Sequence, residues 1–184
     1  MRKITAGDYT IDIFEDHAYS PNDSVHKYNQ SYLETSGYQS HSIIGIKVYN
    51  LDTPLSSAVI GGSGGGTGIH ETSFVSETDR LAICCTDTVF CLSIPDLSLL
   101  WKTKADTASC FEIFKYKTDY IIHGELEITR LAADGRILWQ QSGADIFTRP
   151  GPEREDFIIA EDYILATDWD NRKYKFDFNG VDLS

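Results

Sequence analysis

The sequence predicts an all-β chain of antiparallel hairpin repeats, on three observations. Short apolar runs rich in Val, Ile, Phe and Tyr follow one another from Arg80 to Phe178, each bounded by a turn-forming residue. No helical period runs through that half. A unit of strand, turn, strand and tryptophan recurs, with Trp101 and Trp139 38 positions apart. The alternative arrangement of such hairpins is a β-sandwich.

The elements follow in order. DYTIDIFE (8–15) alternates weakly and reads as a strand. Residues 17–42 are polar, and SVHKYNQSYLE (24–34) is read as a short helix with Ser24 as its cap. IIGIKVYNL (43–51) is a strand, Asp52-Thr53-Pro54 a turn, and SAVI (57–60) a short strand entering a glycine cluster. Then come RLAICCT, TVFCLSI, LSLLWKT, CFEIFKY and the long run DYIIHGELEITRL. The turn Asp134-Gly135 leads into RILWQ, and FIIA, YILATDW and KYKFDF finish the chain. Trp101, Trp139, Phe111, Phe114 and Phe157 lie in strand-like runs and are assigned to the core, whereas Trp169 stands beside a turn at Asp170-Asn171.

The repeat is clearest where TVFCLSIPDLSLLWKT is set above LEITRLAADGRILWQQ. A degenerate third copy is ILATDWDNRKYKFDF, with Phe176 or Phe178 in place of the tryptophan. The period is near that of one four-stranded propeller blade. The element Leu131-Ala132-Ala133-Asp134-Gly135-Arg136-Ile137-Leu138-Trp139 resembles the repeat of quinoprotein-type (PQQ-like) β-propellers, over about residues 80–180. The copy ending at Trp101 lacks the glycine. The resemblance implies a frame of stacked blades. It implies no activity, since such repeats serve enzymes, scaffolds and assembly factors alike. At this period 184 residues hold too few units for a large closed wheel, so a small or incomplete propeller-like array is expected. One domain covers 1–184, with 1–56 as an atypical N-terminal segment and 57–184 as the repeated hairpin region.

Charge narrows the partners. The formal net charge of −12 disfavours nucleic acid, which needs a basic stripe. No run is long and apolar enough for a membrane helix, and the N-terminal residues do not read as a signal peptide. Cys84, Cys85, Cys91 and Cys110 lie in apolar runs and form no CxxC pair. They read as buried free thiols, and the expected location is cytoplasmic. No cofactor is expected, and oligomeric state is not encoded in any recognisable pattern.

Three groups of residues are candidates for chemistry. Gly61-Gly62-Ser63-Gly64-Gly65 matches G-x-S-x-G, which would make Ser63 a nucleophile, with Asp106 and His123 as formal partners. The helix that should follow is absent. Gly61 and Gly66 also have phosphate-loop spacing, but Thr67-Gly68 stands where Lys-Ser/Thr is required. The plain reading is a turn that lets backbone pass closely. His70 and Glu71 follow it. In the run 119–131, strand periodicity would put His123, Glu125 and Glu127 on one face, with Gly124 marking a bulge or a close backbone approach. These histidines and carboxylates could converge as metal ligands. The third group is C-terminal and acidic: Glu153, Glu155, Asp156, Glu161, Asp162, Asp168, Asp170, Asp177 and Asp182. Within it Asp168-x-Asp170 opens like a calcium loop but lacks the glycine and the closing glutamate. No metal site is assigned.

The expected function is non-catalytic: a protein-interaction module, such as an antidote-type protein, that binds a basic partner. Ser63, His70, Glu71, His123, Glu125, Glu127, Asp168 and Asp170 are the candidate ligand- or partner-binding residues. The alternative is a hydrolase using Ser63, or a metal-dependent enzyme using His70 and His123.

Overall fold

The computed structural model of the chain describes residues 1–20, 27–34, 42–148 and 156–184. These form strands and turns without a helix. The first sheet contains β1 (Arg2–Ala6), β2 (Tyr9–Glu15), β3 (Gln30–Leu33), β4 (Ile44–Asn50) and β5 (Thr53–Gly61), in the order β1-β2-β4-β5-β3. The second holds β6 (Phe74–Ser76), β7 (Arg80–Cys85), β8 (Thr88–Ser93) and β9 (Leu99–Lys104) in sequence order. The third repeats that meander with β10 (Cys110–Tyr116), β11 (Asp119–Gly124), β12 (Glu127–Leu131) and β13 (Ile137–Ser142). The fourth has β14 (Phe157–Ile159), β15 (Ile164–Thr167) and β16 (Lys173–Phe176), and Asp182 bridges to Phe176.

Hydrophobic cores lie between consecutive sheets. Ile11, Ile13, Ile46 and Ile60 meet Leu81, Ile83, Phe90 and Leu92 in the first. Ala82, Cys84 and Cys91 meet Ile113, Tyr120 and Ile122 in the second. Ile121, Ile128 and Phe147 meet Ile164, Ala166 and Phe176 in the third. Strand β7 serves two of these cores at once, with Leu81 and Ile83 on one face and Ala82 and Cys84 on the other. Alternate residues point to opposite faces, so a strand buried on both sides reads as a continuous apolar run. This accounts for RLAICC and TVFCLS.

The tryptophan repeat fastens sheet to sheet. Trp101 on β9 donates from Nε1 to the Ala133 carbonyl of the next sheet at 3.0 Å, and Trp139 on β13 donates to Phe178 at 2.9 Å. Each ring lies on a glycine two residues beyond the accepting carbonyl. Gly135 and Gly180 have φ of +83° and +82°, and a Cβ on either would stand 2.5 or 2.7 Å from the ring. In the second sheet Leu97, at φ +56°, occupies the corresponding turn. There the Tyr32 hydroxyl of the first sheet donates to the Leu97 carbonyl at 3.0 Å and accepts from the Leu99 amide at 3.1 Å.

Four local expectations are corrected. Gln30–Leu33 is a strand paired parallel to β5, not helix; Ser24 lies outside the described residues. Non-local contacts decide this: Asn29 and Ser57 exchange three hydrogen bonds that set the register, and Tyr32 reaches the second sheet. The β4–β5 hairpin turns at Leu51 and Asp52, both at positive φ, and Pro54 is already in β5 beside a bulge, where a missing N–H is tolerated. The run 119–131 is two strands with a turn at Glu125-Leu126. Phe176 faces Ile164 across β16 and β15, as Leu131 faces Tyr120, so it fills a core position and not the tryptophan position.

Candidate functional site

The glycine stretch Gly61–Gly68 works by close approach. A Cβ at Gly62 would strike Thr86 and Asp87, and one at Gly64 would strike Ala108 and Asp87. The segment after β5 therefore crosses directly over the β7–β8 turn and the connector that follows β9. The Gly65 amide donates to the Ala108 carbonyl at 2.9 Å. Ser63 is exposed, and its Oγ donates to Asp87 Oδ2 at 3.0 Å. Burial pushes the Asp87 carboxyl up, but Lys104, Ser63 and Thr88 outweigh it and hold the group at about 2. Asp106 accepts four backbone amides, from Ala108, Ser109, Leu126 and Glu127, at 2.6–3.0 Å. It fastens the connector to the β11–β12 turn and stands in no chain with Ser63.

Beyond the crossing, a tight turn pinned by Ser73 presents His70 and Thr72. The Ser73 hydroxyl donates to the His70 carbonyl at 2.9 Å and accepts the His70 amide at 3.1 Å. The Ile113 amide donates to the Thr72 carbonyl at 2.8 Å, which ties this turn to β10. A bulge between Cys110 and Glu112 interrupts the β10–β11 ladder opposite Gly124 and His123. A bulge re-aims neighbouring side chains, so Phe111 and Glu112, though consecutive, both line one cleft.

A hydrogen-bonded chain runs through that cleft. Glu112 Oε1 accepts from the Thr72 hydroxyl at 2.6 Å, and Oε2 lies 2.8 Å from His123 Nδ1. His123 Nε2 is 2.7 Å from the Phe147 carbonyl, which can only accept, so that nitrogen carries a proton. Glu112 Oε2 and His123 Nδ1 then share one proton, and the pair is neutral as a unit. Thr72 gives its hydroxyl proton to Glu112, so it accepts from His70 Nδ1 at 3.1 Å. His70 is thereby set as the Nδ1–H tautomer, with Nε2 left as an acceptor. Burial pushes the Glu112 carboxyl up, but hydrogen bonds from His123 and Thr72 outweigh it and hold the group below its ordinary value. His123 is itself a buried wall residue. Phe157 stacks on it at 4.5 Å and Phe111 meets it edge-on at 5.8 Å. The cleft has a volume of about 490 Å³, in the range of small-ligand sites.

The structure thus brings His70 and His123 together through Thr72 and Glu112, two residues that the sequence did not single out. The available signal for Glu112 was a carboxylate inside the apolar run CFEIFKY. Glu71 is exposed and outside this chain. Glu125 lies in the β11–β12 turn, and Glu127 turns away to accept from the Thr107 amide at 2.8 Å. His123, Glu125 and Glu127 therefore do not share one strand face, because the hairpin turn separates them. Asp168 is buried and accepts from the Arg172 amide at 2.8 Å and the Tyr174 hydroxyl at 2.9 Å. Asp170 takes the Arg172 guanidinium at 2.7 Å. Glu153 and Glu155 lie outside the described residues. Among the described residues no three His, Cys, Asp or Glu side chains gather as a metal-binding group.

No protein-family model matches the chain, and no curated protein matches it significantly. Solved structures resemble its fold. BamB from Moraxella catarrhalis, a PQQ-like β-propeller-type protein, aligns over 100% of this chain and 60% of its own, at 13% identity and a TM-score of 0.52. The computationally designed Ika8 protein aligns over 78% of this chain and 45% of its own, at 12% identity and a TM-score of 0.53. The chain therefore spans only about half the length of these two structures. The likeness defines a propeller-like repeat fold.

Proposed function

We propose that this propeller-like chain is a non-catalytic interaction module that binds a basic protein partner, in the manner of an antidote protein sequestering a basic domain. The observation that carries the reading is charge on a rigid frame. The net charge is −12, and Glu161, Asp162, Asp170 and Asp182 are all exposed around the fourth sheet. The nearby cations are partly committed: Arg172 to Asp168 and Asp170, and Lys175 to the face of Tyr163. Unbalanced carboxylates on one end of a molecule accelerate encounter with a basic surface and repel acidic competitors.

Two finer statements belong to the same reading. The quinoprotein-type character of the repeat is supported by the tryptophan-on-glycine fastening. A cytoplasmic setting is supported by four cysteines that are buried and unpaired. Among the described residues no helix is long and apolar enough to cross a membrane.

The test is capture from native lysate, followed by titration of the recovered basic protein against the chain and a variant with Glu161→Gln, Asp162→Asn, Asp170→Asn and Asp182→Asn. The affinity is expected to fall at least tenfold at low salt and less at high salt. An unchanged affinity would remove the electrostatic basis of the proposal.

A further inference from the structure

The cleft at His70 calls for a donor, not an acceptor, from whatever enters it. Its wall offers the Nε2 lone pair of His70, fixed there because Nδ1 is used on Thr72. Beside it stands the Glu112 carboxylate, whose side chain keeps 26% exposure after taking two hydrogen bonds. Phe111 and Phe157 supply flat apolar surface, and Asp156 adds a second carboxylate. None of the described lining residues is a lysine or an arginine. Glu112 is neutralised by His123 and so contributes acceptor oxygens rather than net charge. Acceptor atoms and aromatic faces together are complementary to a planar group that only donates, which describes a guanidinium.

We infer that this cleft is a recognition pocket for an arginine side chain. The inference rests on the basic-partner reading and places one side chain of that partner at a defined point, whose lining residues include none of the four exposed carboxylates named for the fourth sheet. The guanidinium donates to His70 Nε2 and Glu112 and lies against Phe157. An anion is disfavoured by the same carboxylates, although Gly66 and Gly68 bring backbone to the rim.

Gly68 provides a clean perturbation. A Cβ built there meets nothing within 4 Å, and its φ lies outside the left-handed region, so Gly68→Leu can fill the cleft without straining the fold. The experiment titrates N-acetyl-arginine amide, its neutral isostere N-acetyl-citrulline amide and inorganic phosphate into isotopically labelled protein, read by NMR. Saturable shifts at Gly66, Gly68, His70 and Thr148 are expected with the arginine amide alone. The apparent affinity should drop at least tenfold in Gly68→Leu and in His70→Phe. Equal response to citrulline, a preference for phosphate, shifts elsewhere on the surface, or undiminished binding by a folded Gly68→Leu variant would each overturn the pocket. The two proposals fail separately. If a recovered basic protein binds Gly68→Leu as tightly as the parent, the pocket falls and the acidic-surface reading stands. If the arginine amide binds but no basic protein is held, the reverse is true.

Discussion

Replacing Gly180 by alanine tests the sheet-to-sheet fastening directly. The residue sits at φ +82°, where a Cβ costs about 1–2 kcal/mol from backbone sterics alone. That Cβ would also stand 2.7 Å from the Trp139 ring, so the ring must move. Moving it stretches the 2.9 Å bond from Trp139 Nε1 to the Phe178 carbonyl, worth a further ~0.5–1.5 kcal/mol. The sum is about 1.5–3.5 kcal/mol, which lowers the melting midpoint by roughly 3–14 °C in a domain of this size. Urea and thermal unfolding followed by tryptophan fluorescence measure it. Gly68→Ala is the control, since its Cβ meets open space, and it should stay within ~0.5 kcal/mol of the parent. If both variants unfold alike, the tryptophan-on-glycine contact does not hold these sheets together.

Three further outcomes follow from the same geometry. Thr72→Val removes the hydroxyl that fixes the His70 tautomer, and nitrogen NMR of the ring should show the Nε2–H form rising from a minor to a major population; an unchanged ring would refute the assigned chain. Acid should destabilise the fold through Asp87 and Glu112, whose carboxyls lie below their ordinary values when folded. The unfolded chain binds those protons more readily, so their contribution is present above about pH 4.5 and is lost as pH falls toward 2. Asp87→Asn should flatten the fall in denaturation midpoint across that window, and an equally steep profile in the variant would count against the assignment. The cysteines should resist thiol reagents in the native protein and react in denaturant, because burial pushes Cys91 to about 11 and Cys85 to about 12. Rapid labelling of folded protein would contradict their burial.

The strands that pack on both faces were the most legible part of the sequence. RLAICC and TVFCLS carry their burial in composition, and a tryptophan 38 positions from another marks equivalent strands. Gly135 was visible as half of a turn, but its second role, as the seat of the preceding sheet's tryptophan, needs the neighbouring sheet. The N-terminal region was harder because its order comes from distant partners: Ser57 holds Asn29 at the start of β3, and backbone atoms of Leu97 and Leu99 hold Tyr32 within it. The site was legible only in its histidines. Thr72 and Glu112 are 40 positions apart and Glu112 and His123 are 11 apart, and the bulge that aims Glu112 leaves no mark in the alternation of CFEIFKY. The glycine stretch drew attention as a nucleophile or phosphate motif. Its bare backbone is required instead by two crossing segments, and it reaches the site only at its far end.

Because the cores lie between sheets, the molecule behaves as a short one-dimensional stack. The second and third sheets each share two cores, whereas the first and fourth each share one. Loss of an end sheet removes one interface, while loss of a middle sheet removes two and strands its neighbours. Opening should therefore proceed inward from the ends. Amide hydrogens of β7, β8, β11 and β12 should exchange only with global unfolding, and those of β15 and β16 well before it. The cleft at His70 draws its walls from the second–third sheet junction and from the start of the fourth, so opening of the fourth sheet dismantles one wall and leaves the other standing.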